Sequence, residues 1–211
     1  LLLLQDKLAD ELKATLDINE IIEKLAVEEG IVYKELVAEA ARLSERRKQV
    51  APGFSDKVNE LLALVGMPNA RFKVRFEQTT PTTHGTDSIE FMLDANKSGQ
   101  FQALHKAASG GEMSRILLCI KSLTAEALRL PTLIFDEVDT GISGEAARQV
   151  GALLRQLAGF HQVICITHQP QVAARGSRHF YVYKEEDDKE RISTKVRILL
   201  PEERILAIAR M

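Results

Sequence analysis

Two adjacent carboxylates, Asp136 and Glu137, follow directly on the short apolar run Thr132-Leu133-Ile134-Phe135. The run predicts a buried strand, and open α/β sheets bind ligands beyond the carboxyl ends of their parallel strands. The pair is therefore a candidate ligand site. A strand that leaves the core for a solvated acidic loop gives the same string, so this pattern alone leaves both interpretations open.

A pair of glycines opens the helix predicted upstream of that strand. Ser109 can cap this helix with Glu112 as its capping-box partner. Gly110 and Gly111 would let a phosphate approach the backbone N–H groups at the positive end of the helix. A simple capped helix explains Ser109 and Glu112. It does not explain two adjacent glycines, which lower helix stability and make sense where something comes close.

His168 is the third candidate, because it follows the apolar run Val163-Ile164-Cys165-Ile166 and precedes a turn at Pro170. A lone histidine is most often structural. Neighbouring parallel strands, however, would bring His168 beside Asp136 and Glu137, where an imidazole could contact a terminal phosphate. The remaining histidines suggest no common role: His84, His105, His161 and His179.

The first 50 residues have apolar side chains at helical spacing. A break is predicted at Thr15 to Asp17, where Asp17 and Glu20 resemble a capping box that restarts the helix. A 3,4 alternation from Tyr33 to Val50 then suits one arm of a coiled coil. An amphipathic helix packed on a domain is the alternative. Ala51-Pro52-Gly53 is predicted to end this helix, and a shorter one, Ser55 to Val65, to follow it.

Downstream, alternating residues predict two strands near 71–77 and 89–93, joined by the stretch Thr79 to Asp87. Helices then alternate with strands, which implies an α/β fold with a parallel sheet flanked by helices and a small antiparallel portion. The predicted order is helix Gly111–Leu130, strand Thr132–Phe135, helix Glu145–Leu157, strand Gln162–Ile166, a short helix near Gln171, and strands Phe180–Tyr183 and Ile192–Leu199.

Composition fits this globular interpretation. The chain has 211 residues, 45% of them hydrophobic, and a net charge of -2, which carries no overall basic signature for nucleic acid. No apolar run reaches the roughly 18 to 20 residues that cross a bilayer. Two cysteines lie inside apolar stretches, which predicts buried, reduced thiols. The absence of an initial Met suggests that the sequence is a fragment.

The order of these motifs is more specific than any one of them: SGGE, a helix, an apolar strand ending in Asp-Glu, Asp139, a helix, and a strand ending in Thr-His. This order resembles the second half of an ABC-type ATPase head. The stretches KAASGGEMSRILLCIKSL, LIFDEVDTGISGEAA and ITHQPQVAARG narrow the resemblance to the RecN family of SMC-like DNA-repair ATPases, over about residues 50 to 211. Departures are Gln169 after the histidine and the turn Asn96-Lys97-Ser98-Gly99.

The resemblance implies a coiled-coil arm at 1–50 and the C-terminal lobe of the head at 51–211. It also implies ATP and Mg²⁺ as ligands. Ser109, Gly110 and Gly111, with Glu112, would form the signature motif that caps the ATP of a partner head. The remaining roles are Mg²⁺ binding through water for Asp136, activation of the attacking water for Glu137, linkage of the two sites for Asp139, and sensing of the γ-phosphate for His168.

The chain contains no G-x-x-x-x-G-K-[ST] motif. The resemblance therefore implies a separate N-terminal P-loop half as partner, a homodimer of heads around ATP, and no hydrolysis by this chain alone. It further implies DNA double-strand ends as a partner, no membrane, and a cytoplasmic, nucleoid-associated protein. The basic cluster Arg42, Arg46, Arg47 and Lys48 could contact phosphates, but a solvated helix face with acidic neighbours is favoured.

Three alternatives are weaker. An ABC transporter subunit would lack the arm and normally reads LSGGQ, whereas other SMC-like heads would lack the ITHQPQVAA stretch. A purely structural coiled-coil protein explains residues 1 to 50 only. It leaves the Asp-Glu pair and the double glycine unexplained.

Overall fold

The computed structural model describes residues 2–186 and 192–211, with side chains described at residue 13 and from residue 17 onward. The chain divides into two compact units. The first comprises the residues up to Val50 together with Phe76–Ile89, and the second comprises Ala51–Arg75 and Glu90–Met211. No helix within the described residues has an apolar stretch long enough to cross a membrane.

The longest element is helix α1, Leu2–Leu64, which runs without interruption for 63 residues. The break predicted at Thr15 to Asp17 is therefore wrong. Thr and Asp cost a helix only about 0.7 kcal/mol each relative to Ala, which is too little to end it. A side-chain cap also needs a non-helical residue, and Asp17 is helical.

The stop predicted at Ala51-Pro52-Gly53 is also wrong, since α1 continues through Pro52. Proline lacks the N–H that would bond the carbonyl four residues earlier and costs roughly 3 kcal/mol in a helix interior. The following turns bury Val58, Leu62 and Val65 almost completely. That burial offsets the cost, at about 1.5 to 3 kcal/mol for each large apolar side chain.

In the first unit, α1 packs against the tip of a β-hairpin. The hairpin strands are β1, Arg71–Thr82, and β2, Gly85–Asp94, so the predicted linking stretch is mostly strand. The Ser44 hydroxyl donates to Asp87 Oδ1 at 2.6 Å, and Arg47 Nη1 lies 3.2 Å from Asp87 Oδ2. The Ser44 hydrogen bond is the main cause of the lowered pKa of Asp87. Ala40 is buried at this contact, whereas the flanking Leu36 and Leu43 are about 40% exposed.

In the second unit, the predicted alternation of helices and strands is confirmed. A short strand β3, Gln102–Ala103, pairs with β2, and helix α2 covers Leu104–Ala107. Helix α3, Gly110–Leu128, leads to β4, Thr132–Phe135, and helix α4, Gly144–Leu157, leads to β5, Gln162–Cys165. Strands β4 and β5 are parallel, with Phe135 opposite Cys165.

The chain then forms the short helix α5, Pro170–Ala173, and an antiparallel pair, β6, Phe180–Glu186, and β7, Ile192–Ile198. Helix α6, Pro201–Ala209, was not predicted. None of its described residues is buried, and its apolar side chains Ile205 and Leu206 are largely exposed.

The core lies on one face of β4. Leu133 and Phe135 are buried against apolar residues of α3 and α4, including Ile116, Cys119 and Val150. Ile134, between them on the opposite face, is 61% exposed. Ile164 and Ile166 on and after β5 are exposed as well, so the other face of this sheet is apolar and open. The predicted burial of the thiols holds for Cys119, while Cys165 is half-buried.

Candidate functional site

The parallel pairing of β4 and β5 brings the predicted site residues to one edge of the sheet. The Ile166 N–H donates to the Phe135 carbonyl at 2.9 Å, which extends the pairing one residue beyond β5. Asp136 and Glu137 therefore begin the loop after β4, and Thr167 and His168 follow β5 beside it. Both carboxylates are exposed, as a ligand-binding role requires.

Glu137 has an unusual backbone conformation. Its φ is +55°, in the left-handed region that non-glycine residues rarely adopt. Such a residue costs of order 1 to 3 kcal/mol and persists only where the surroundings enforce it. A turn holds it here, because the Thr140 N–H donates to the Glu137 carbonyl at 3.2 Å. The strained residue is thus also the one proposed from sequence to activate water.

Asp139 is buried, with 1% of its surface exposed. Its Oδ2 accepts hydrogen bonds from the Thr167 hydroxyl, from the His168 N–H at 3.1 Å and from the Gln169 N–H at 3.2 Å. Its Oδ1 lies 3.6 Å from His168 Nδ1 and has no hydrogen-bond partner among the described residues. Asp139 therefore ties the loop after β4 to the loop that carries His168, within one chain.

The His168 ring extends outward from this anchor. Its side chain is 65% exposed although its backbone N–H is bonded to a buried carboxylate. His161 and His179 contrast with it, because a ring nitrogen of each lies within hydrogen-bond distance of a backbone carbonyl, of Leu130 and Ala173 respectively. His168 is thus presented to solvent at the sheet edge beside Asp136 and Glu137.

The start of α3 is capped by its own residues. The Glu112 carboxylate accepts hydrogen bonds from the Ser109 N–H at 2.9 Å and the Ser109 hydroxyl at 2.8 Å. The Ser109 N–H is the largest cause of the lowered pKa of Glu112. The first N–H groups of a helix lack intrahelical partners and carry the positive end of its dipole. The N-terminal end of this 19-residue helix can accordingly bind an anion.

The structure also shows what comes close to the two glycines. A Cβ at Gly111 would lie 2.9 Å from the Thr140 carbonyl oxygen, and a Cβ at Gly110 would lie 3.2 Å from Glu137 Oε2. The double glycine therefore lets the loop after β4 pack against the start of α3. The sequence analysis attributed the glycines to the approach of a phosphate, but a neighbour from the same chain already requires at least Gly111.

Arg115, Thr140 and Thr167 belong to this cluster but were missed by the sequence analysis. Arg115 Nη1 donates to the Thr140 carbonyl at 2.6 Å, and the Thr167 hydroxyl bonds Asp139. One signal was available for Arg115: it lies four residues before Cys119, on the buried face of α3, where a charged side chain is out of place.

A magnesium site can be tested against the donors present. Among the described residues, no group of three or more His, Cys, Asp or Glu side chains could enclose a metal ion. Mg²⁺ usually takes one or two carboxylates and completes its octahedron with water and substrate phosphates. The exposed carboxylate of Asp136, at the end of β4, fits such a water-rich shell.

Known structures identify the class of fold. The chain is similar to the Smc head domain with a coiled coil and joint from Pyrococcus yayanosii, with a TM-score of 0.62 at 19% identity over 92% of this chain and 36% of that one. It is also similar to the Smc head domain with an extended coiled coil from Pyrococcus furiosus, with a TM-score of 0.51 at 20% identity over 91% and 49% of the two chains. The chain thus has the fold of part of an Smc head domain with its coiled coil.

Curated sequences narrow this class to one family, although no family model matches the chain. It is 42% identical to the DNA repair protein RecN of Haemophilus influenzae over 207 residues, which are 97% of this chain and 37% of that protein. Identity to RecN of Bacillus subtilis is 33%, over 97% of this chain and 38% of that protein. The chain belongs to the RecN family and spans just over a third of the length of these relatives.

Proposed function

We propose that this chain is the C-terminal part of an ATP-hydrolysing head that acts, as part of a longer protein, in the recombinational repair of DNA double-strand breaks. The observation that carries the proposal is the cluster at the edge of the β4–β5 sheet. A helix N-terminus, two exposed carboxylates and an anchored histidine come together there. Each group suits one part of phosphoryl transfer.

Glu137 is the proposed general base. Its carboxylate accepts a proton from a water molecule as the water oxygen bonds to the γ-phosphorus and the bond to the ADP oxygen breaks. Asp136 would hold Mg²⁺ through water, and a bound Mg²⁺ would supply positive charge against the phosphate oxygens. His168 contacts the γ-phosphate from the second loop, where Asp139 fixes its backbone.

The signature helix α3 is proposed to act on the ATP of a partner head. Ser109, Gly110 and Gly111 would present the positive end of this helix to the γ-phosphate, while Glu112 holds the Ser109 backbone and hydroxyl in place. Two copies of the head would then enclose two ATP molecules in a homodimer. Asp139 would connect the two sites through the loop that it shares with Glu137.

A separate P-loop half of the same protein is the second proposed partner. The open apolar face of Ile134, Ile164 and Ile166 supports this proposal, because large exposed apolar patches mark protein contact surfaces. The chain alone is expected to bind ATP weakly and to hydrolyse none above background. Sub-micromolar ATP affinity of the chain alone in isothermal titration would contradict that expectation.

The arm at 1–50 is proposed as one strand of a coiled coil and 51–211 as the head lobe. DNA double-strand ends in the cytoplasm, within the nucleoid, are the proposed target of the assembled protein. Two members of the basic cluster on α1 have acidic partners, since Arg47 is paired with Asp87 and Arg42 with Glu39. These pairs support a solvated helix face there rather than a DNA contact.

The central test is Glu137→Gln in the intact protein. Removing the base should slow ATP hydrolysis by about 10²- to 10⁴-fold while ATP still binds, so that ATP-bound dimers accumulate. Phosphate release gives the rate, and sedimentation in the presence of ATP gives the dimer fraction. Turnover at the parental rate would exclude Glu137 as the base. An intact protein without any ATPase activity would overturn the proposed function itself.

A further inference from the structure

Arg115 places a cation beneath the start of α3. Only 5% of its surface is exposed, and burial is the main cause of its lowered pKa, which the charge of Glu112 opposes. The residue lies one helical turn after Gly111 and one before Cys119, both buried. Buried arginine is uncommon in protein cores because desolvating its charge is costly unless specific partners need it.

The main partner of Arg115 is the loop after β4. Its Nη1 donates to the Thr140 carbonyl at 2.6 Å and lies 3.4 Å from the position that a Cβ at Gly111 would occupy. Its Nε is buried and has no hydrogen-bond partner among the described residues. The guanidinium is therefore wedged between the helix start and the loop, with one strong bond to the backbone of that loop.

Thr140 links Arg115 to Glu137 through its two backbone polar groups. The Thr140 carbonyl accepts from Arg115, and the Thr140 N–H donates to the Glu137 carbonyl at 3.2 Å. Glu137 is the residue held at a φ of +55°. A path of two hydrogen bonds thus runs from the signature helix to the backbone of the proposed base, and it bypasses the side chains already assigned a role.

We propose that Arg115 is a positioning residue that couples the N-terminal end of α3 to the loop of Glu137. When this end of α3 binds a triphosphate, the position of the helix fixes Arg115. Through Thr140, Arg115 in turn fixes the backbone of Glu137 in the same chain. The proposal rests on the proposed ATPase function. An apolar side chain of similar length would fill the same space without the charge, but it could not hold the Thr140 carbonyl.

The test uses the intact protein with Arg115→Met, Arg115→Lys and a matched control, Arg148→Met. Arg148 is an exposed arginine on α4 that pairs with Glu145. Steady-state hydrolysis is measured on protein whose ATP-binding sites have been titrated, so that a misfolded fraction does not count. The Met variant should lose about tenfold or more in kcat, as expected for one charged hydrogen bond. Its KM should stay within about twofold, since uniform substrate binding is untouched.

Arg115→Lys keeps the charge and one donor, so its kcat should lie between those of the parent and the Met variant. If the Met variant does not fold, the kcat and KM of Arg115→Lys test the proposal instead. The control should match the parent. A parental kcat in the folded Arg115 variants would overturn the proposal, as would a loss confined to KM.

A double-mutant cycle separates coupling through Glu137 from a general loss of activity. Single-turnover hydrolysis by Arg115→Met combined with Glu137→Gln should be no slower than by Glu137→Gln alone, because the residue that Arg115 positions no longer acts as a base. Multiplicative losses would show that Arg115 acts independently of Glu137 and would overturn the inference while leaving the proposed function intact. Absence of ATPase activity in the parent would instead overturn both.

Discussion

Asp139 and His168 meet through one hydrogen bond and one close approach: Asp139 Oδ2 accepts the His168 N–H at 3.1 Å, and Asp139 Oδ1 lies 3.6 Å from His168 Nδ1. Because Asp139 is buried, its removal leaves the N–H groups of His168 and Gln169 without their acceptor. Asp139→Ala should therefore lower the free energy of unfolding of the chain by about 1 to 3 kcal/mol. Asp136→Ala, an exposed carboxylate three residues earlier, should change it by less than about 0.5 kcal/mol. Urea unfolding of both variants measures the difference, and equal effects would contradict the anchoring role.

Gly111 and Gly110 provide a second matched pair. Alanine is the better helix former by about 1 kcal/mol, yet a Cβ at Gly111 meets the Thr140 carbonyl oxygen at 2.9 Å. Gly111→Ala should therefore destabilise the chain by about 1 to 3 kcal/mol. Gly110→Ala meets only the end of the flexible Glu137 side chain and should cost less. Gly30→Ala, with nothing near its Cβ position, should stabilise α1 by about 0.5 to 1 kcal/mol. If thermal unfolding showed that Gly111→Ala raises Tm as much as Gly30→Ala does, the close contact between Gly111 and Thr140 would be ruled out.

Glu112 makes the stability of the chain depend on pH in a defined direction. Its pKa is lowered from the ordinary value of 4.5, first by the Ser109 N–H. Between the folded and unfolded pKa values the folded chain binds fewer protons, so stability rises with pH there. The contribution is fully present above about pH 4.5 and is lost as pH falls through the lower folded value. The Tm difference between the parent and Glu112→Gln should thus be large at pH 7 and shrink in acid. A Tm difference that did not change with pH would show that the Glu112 carboxylate does not stabilise the start of α3.

Ser109→Arg tests in the intact protein whether α3 acts on the ATP of a partner head. The bulky side chain should block head dimerisation and turnover while ATP still binds to the variant's own P-loop. Mixing this variant with a P-loop lysine variant should restore about one working site per heterodimer, since each partner supplies what the other lacks. Failure of rescue alone would leave cooperativity between the sites as an explanation. Loss of ATP binding by the Ser109→Arg monomer is the decisive contrary result, because it would assign Ser109 to its own site.

Periodicity predicted the elements that build the site. The apolar run before Asp136 predicted strand β4, and the apolar spacing in 145–157 predicted helix α4. The run did not predict that β4 is buried on one face only, with Ile134 exposed. The side-by-side loops after β4 and β5 could also be predicted, because parallel strands carry their carboxyl ends to one edge. The family resemblance was confirmed by the RecN relatives.

The errors have physical causes that sequence windows do not contain. Pro52 and Asp17 are local stop signals, but burial of Val58 and Leu62 outweighs the first, and the second is too weak to end a helix. The burial of Asp139 depends on three donors that lie 28 to 30 positions along the chain. For Arg115, the charge on the buried face of α3 was a local signal, but its partner is a backbone carbonyl 25 positions away.

The left-handed backbone of Glu137 lowers the stability of the fold, whereas its carboxylate is needed for the proposed chemistry. Glycine would relieve the strain at a φ of +55° without any other change, and asparagine would relieve part of it. Glycine has no side chain, and the asparagine amide cannot take a proton from water. Selection for thermal stability alone would thus drive this position towards glycine or asparagine. If Glu137 is the base, as proposed, heat-resistant variants selected without an activity screen should include ones that have lost this carboxylate and with it hydrolysis.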